Sequence, residues 1–132
     1  MKQTHTFKTY IMAIGPHPDD VEIGIGGTLY KTATQGKQNV IIDLTPSQMS
    51  THGNIDTRQA EANKAAQILG VQTRINLLLE DGHIMDTPET RKIIATQIRK
   101  YKPEIVVMPR SRDRHPDHEI AAQVIKNAVF YA

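Results

Sequence analysis

Tyr10-Ile11-Met12-Ala13-Ile14-Gly15-Pro16-His17-Pro18-Asp19-Asp20-Val21-Glu22-Ile23-Gly24 decides how this chain folds. An apolar, β-branched run ends at a glycine. A turn with two prolines follows, and then a pattern that supports a helix as far as Thr34, with Gly36 as its terminator. The reading is strand, tight turn, helix, with one imidazole and two carboxylates in the turn. Helix capping accounts for one aspartate. It accounts for neither the second nor His17, so the turn reads as a metal or acid/base site.

Working outward, three more apolar runs read as strands: Asn39–Leu44, Arg74–Leu79 and Ile105–Met108. Helical periodicity fills the gaps. A second helix covers about Asp56 to Leu69, with Ala60, Ala65, Ile68 and Leu69 on one face and Gly70 behind it. A third starts at Thr87-Pro88, carries Ile93, Ile94 and Ile98 inward, and stops before Pro103. A fourth begins near Pro116. Short, continuously apolar strands alternating with helices predict an α/β fold with a mainly parallel sheet covered on both faces.

The chain has 132 residues, the length of one domain, with 39% hydrophobic and 23% charged residues. That is enough apolar material for one core. The net charge of +2 is spread along the chain and no Trp is present, which argues against a nucleic-acid partner. The absence of Cys excludes disulfides, thiolate metal sites and a Cys nucleophile, and fits a cytoplasmic setting. The polar start, Met1 to Lys8, and the short apolar run after it predict neither signal peptide nor membrane span.

A second cluster follows the fourth strand: Asp113-Arg114-His115-Pro116-Asp117-His118. His115 and His118 are three apart at a helix start and can share a face. In doubly wound sheets, ligands bind where the strand order reverses, outside the carboxyl ends of the strands. In the order 3-2-1-4 that point lies between strands 1 and 4, the strands that precede the two clusters. His17, Asp19, Asp20, His115, Asp117 and His118 then meet. Two His and one carboxylate with an open position form a catalytic zinc pattern. A dinucleotide site is disfavoured: the turn lacks the second and third glycines of G-x-G-x-x-G, and its aspartates repel a pyrophosphate. Asp43 imitates the ribose-binding acid on its own. Gly24, Gly26 and Gly27 read as positions that let the first helix pack closely on a neighbour. The polar stretch Thr45–Asn54 is either a pocket-shaping loop or a surface excursion.

The HPDD turn and the HPDH box together resemble the LmbE/PIG-L superfamily of zinc-dependent N-deacetylases. Asp43-Leu44-Thr45, Arg58, Glu61 and Ala62 extend the likeness toward the N-acetylglucosaminyl malate deacetylases of bacillithiol biosynthesis. The resemblance implies a Rossmann-like three-layer sandwich, of which residues 1–132 form the N-terminal part of the usual single domain, without the C-terminal part of the family fold. It implies one zinc ion per chain on His17, Asp20 and His118, with Asp19 as general base. His115 then stabilises the oxyanion or protonates the leaving amine, Asp117 orients it, and Arg58 binds substrate. It also implies an N-acetylated amino-sugar substrate and a homo-oligomer. Metal binding without turnover, or another metal-dependent hydrolysis, is the alternative.

Overall fold

A computed structural model describes residues 8–50 and 53–132. The N-terminal reading therefore falls almost wholly outside the described residues, as do Thr51 and His52 of the long polar stretch. Among the described residues, four strands and four helices alternate: β1 (Thr9–Gly15), α1 (Asp20–Thr34), β2 (Gln38–Asp43), α2 (Ile55–Ile68), β3 (Thr73–Asn76), α3 (Pro88–Tyr101), β4 (Ile105–Val107) and α4 (Pro116–Tyr131). The strands form one sheet in the order β3-β2-β1-β4, and every pairing is parallel. β1 is central, with Met12 opposite Val40 on one side and Val106 on the other. β3 stops at Asn76, short of the expected Leu79; the Asn76 side chain accepts from the Leu78 amide, and Leu78 turns left-handed.

Alternation along β1 sends Met12 and Ile14 to one face, and Ile11 and Ala13 to the other. Met12, Ile14, Val40 and Ile42 pack with Ile94, Val124 and Ile125 of α3 and α4. Ile11, Ala13 and Ile41 pack with Val21, Leu29 and Ala66 of α1 and α2. The core is thus split into two layers by the sheet. Truncating a fully buried member such as Ile42 to Ala costs about 2–5 kcal/mol.

Helix faces differ from the sequence reading in two places. α2 buries Ala62 and Ala66, while Ile68 is exposed. In α1, a Cβ on Gly24 or Gly27 would meet open space, and one on Gly26 would meet Leu69 only at ordinary van der Waals distance. Close packing is therefore not their role. They flank a kink at Ile25, where the backbone leaves helical geometry (φ −140°), which glycines on either side accommodate.

Candidate metal centre

The turn after β1 is built tightly. A Cβ on Gly15 would lie 3.1 Å from Val21 Cγ2 and 3.3 Å from Asp20 Cβ. The Pro16 carbonyl accepts both the amide and the hydroxyl of Thr45 at 3.0 Å, pinning the turn to the end of β2. Asp19 occupies the N-cap position of α1, but it is left-handed (φ 98°) and makes no side-chain cap bond. Such a conformation costs a non-glycine residue on the order of 1–3 kcal/mol. Asp20 Oδ2 instead turns back to accept the His17 amide at 3.0 Å. Neither aspartate serves as the helix cap that composition suggests.

Asp20 Oδ2 lies 3.1 Å from His17 Nδ1 and 3.4 Å from His118 Nε2. One donor atom from each of His17, Asp20 and His118 lies within 4.8 Å of the others. The remaining ring nitrogens are held by carboxylates. His17 Nε2 faces Asp117 Oδ2 at 2.8 Å and Asp81 Oδ1 at 3.1 Å. His118 Nδ1 faces Asp113 Oδ2 at 3.3 Å. An imidazole with one nitrogen toward a common point and the other on a carboxylate is the arrangement that metal-ligating histidines adopt.

The electrostatics fit a cation. Burial works against a charged His17, but hydrogen bonds to Asp20 and Asp117 and the charges of Asp20 and Asp81 outweigh it, raising its pKa from 6.5 to about 9. Carboxylates at both nitrogens favour the protonated ring when no metal is bound, so the pocket suits a positive charge among three acids. Two imidazoles and one carboxylate, with no thiolate, suit zinc and other borderline divalent metals. The donor set therefore fits the implied metal.

His17, Asp19, Asp20, Arg58, His115 and His118 line one cavity of about 650 Å³ at the carboxyl ends of β1 and β4. His115 caps α4: its Nδ1 accepts the Asp117 amide at 3.1 Å, leaving Nε2 as the proton-bearing nitrogen. Its ring stacks on His118 at 5.0 Å. Asp117 is buried behind the cavity. Its carboxylate binds His17 and the Gly82 amide, not the His115 ring. Arg58 Nη2 stands 3.7 Å from Asp19 Oδ2, and its buried Nε has no partner among the described residues. Burial and the Asp20 charge push the Asp19 carboxyl above its usual range, and Arg58 opposes them.

Two contributors were not singled out from the sequence. Asp113 holds His118 and also accepts the His115 amide at 3.0 Å; its place beside the HPDH box was the available signal. Asp81, in the β3–α3 connection, touches His17 and accepts the Met49 amide at 3.0 Å. No local pattern marks it. Asp43, which imitated a ribose-binding acid, is fully buried and paired with Arg74.

Comparison with known proteins places the chain in a family. The profile of the family described as PIG-L, GlcNAc-PI de-N-acetylase, matches residues 12–129. The chain is 38% identical over 132 residues to diacetylchitobiose deacetylase of Thermococcus kodakarensis, covering 92% of this chain and 49% of that protein. Among solved structures, the conserved protein TT1542 of Thermus thermophilus superposes with a TM-score of 0.90 at 38% identity, covering 92% of this chain and 56% of the other. N,N'-diacetylchitobiose deacetylase of Pyrococcus horikoshii superposes at 0.87 with 28% identity, covering 93% and 50%. The chain thus spans about half the length of these relatives. With the profile matching most of its length, the chain belongs to the PIG-L family of de-N-acetylases.

Proposed function

We propose that this chain carries the metal-binding half of an enzyme that hydrolyses the N-acetyl group of an amino sugar. One observation carries the reading: donor atoms of His17, Asp20 and His118 lie within 4.8 Å of one another, on the cavity that Asp19, His115 and Arg58 also line. His17, Asp20 and His118 would hold zinc, which supplies Lewis acidity toward the amide. Asp19, beside these donors and with its carboxylate making no cap bond to the helix, accepts the proton of the attacking water. His115 presents Nε2–H to the developing oxyanion, and the proton taken up by Asp19 passes to the departing amine. Asp117 and Asp113 hold His17 and His118 in register and leave one nitrogen of each free.

Arg58 supports an anionic substrate. On the cavity wall its Nη2 is only loosely paired with Asp19, which leaves guanidinium donors for a carboxylate. N-acetylglucosaminyl malate meets that description. A neutral N-acetylated disaccharide is the second reading, favoured by the names of the relatives.

Acetate release from both sugars, with zinc and with a chelator, tests the proposal, alongside elemental analysis. About one equivalent of metal and chelator-sensitive release are expected. Absence of metal uptake, or no release from either sugar by zinc-loaded protein, would overturn it.

A further inference from the structure

Arg74, on β3, is a charged residue whose side chain is only 2% exposed. Its guanidinium donates from Nε to Asp43 Oδ2 at 2.7 Å and from Nη2 to Asp43 Oδ1 at 3.0 Å. Nη2 also donates to Glu22 Oε1 at 3.0 Å, and Nη1 to the Ala62 carbonyl at 3.2 Å. One planar group is therefore tied to the end of β2, the first turn of α1 and the middle of α2. Glu22 lies two residues after Asp20. Ala62 lies one helical turn after Arg58.

These two helices need such a tie at this end. Away from the site the end of α2 comes close to α1: a Cβ on Gly26 would meet Leu69 Cδ2 at 3.8 Å. At the site end a cavity of about 180 Å³ separates them, lined by Asp19, Glu22, Arg58 and Ala62. Asp19 and Arg58 stand 3.7 Å apart, too far for a hydrogen bond to hold them. Their spacing is set by where the helices sit.

We propose that Arg74 is a positioning residue: by bridging Glu22, Asp43 and the Ala62 carbonyl it sets the separation of Asp19 from Arg58, and so of the proton acceptor from the substrate-binding cation. The catalytic consequence rests on the deacetylase reading; the geometric one does not. The guanidinium fork is essential, because a lysine ammonium cannot reproduce its fixed donor geometry.

The test compares Arg74→Met with the paired replacement Asp43→Leu/Arg74→Met, which removes the buried charges together and keeps an apolar fill. The single variant should lose stability. The pair should recover it and still bind one zinc ion. Its crystal structure should show the Asp19–Arg58 separation changed by about 1 Å or more, with kcat reduced about 10²-fold. An unchanged separation, or wild-type kcat at recovered stability, would overturn the proposal. Should the unaltered protein release no acetate from any N-acetyl sugar, the deacetylase reading fails, while the separation still decides the role of Arg74. If the pair does not fold, Arg74→Lys replaces it: retained zinc with reduced kcat supports the role, and unchanged kcat refutes it.

Discussion

Nε2 of His17 lies 2.8 Å from Oδ2 of Asp117, a bond between residues 100 positions apart. It joins the turn after β1 to the start of α4. It also fixes which nitrogen of His17 is left for a metal, because the proton stays on the side of the buried carboxylate.

Asp117→Asn should therefore weaken zinc without abolishing binding. An amide keeps the shape but not the charge, and loss of such a partner typically costs 10–100-fold in metal affinity. Competition against a chelator of known affinity measures it. An unchanged dissociation constant would remove Asp117 from the metal centre.

Asp19 and Asp20 are neighbours with opposite surroundings. Asp20 faces both imidazoles, whereas Asp19 is left-handed and turned toward Arg58. Asp20→Asn should lose zinc. Asp19→Asn should keep it, with kcat lower by roughly 10²–10⁴-fold. Metal content and kcat measured side by side decide the matter; the reverse pattern would exchange the two roles.

Arg58→Ala should raise KM for N-acetylglucosaminyl malate by roughly 10–100-fold, the range for hydrogen bonds to a charged group. KM for neutral N,N'-diacetylchitobiose should move far less. Equal changes would show that Arg58 does not read a carboxylate.

Asp86 offers a stability test remote from the site. Its carboxylate accepts from Arg91 Nε at 2.6 Å, Arg91 Nη2 at 3.0 Å, Asn127 at 2.8 Å and Gln123 at 3.2 Å, linking α3 to α4. The Arg91 hydrogen bond leads in holding this carboxyl below its usual range, against burial, with Asn127 assisting. A carboxylate with a depressed folded pKa contributes stability above its unfolded value near 4, and loses it as pH falls through the folded value. Asp86→Asn should lower Tm by about 4 °C at pH 7, a modest effect because the pair meets solvent. The gap between the two proteins should shrink as pH falls below about 4. A gap independent of pH would show that shape, not charge, matters at this position.

Much of the fold was legible because it rests on short-range chemistry. The Thr87-Pro88 cap forms as its residues require, with the Thr87 hydroxyl accepting the Thr90 amide at 3.2 Å. Gly36 and Gly70 end helices in left-handed conformations. Ala60 and Ile68 misled because α2 is mostly polar, and a weak apolar stripe does not distinguish the face turned to the sheet from its neighbour. Of the site, the HPDD and HPDH boxes announced the donors, since three residues' spacing at a helix start constrains direction.

By itself the sequence determined the strand–helix alternation and the residue types that follow β1 and β4; the order β3-β2-β1-β4 is set by the assembled sheet. Backbone sterics, apolar periodicity and parallel crossovers act over short stretches and leave few alternatives. Only the tertiary structure decided who holds whom: Asp117 on His17, Asp113 on His118, Asp81 joining from another connection, and Arg74 locking β2, α1 and α2 together. A buried charge takes whichever partner the packed helices bring within about 3 Å. That proximity is a property of the assembled layers and leaves no periodic trace along the chain.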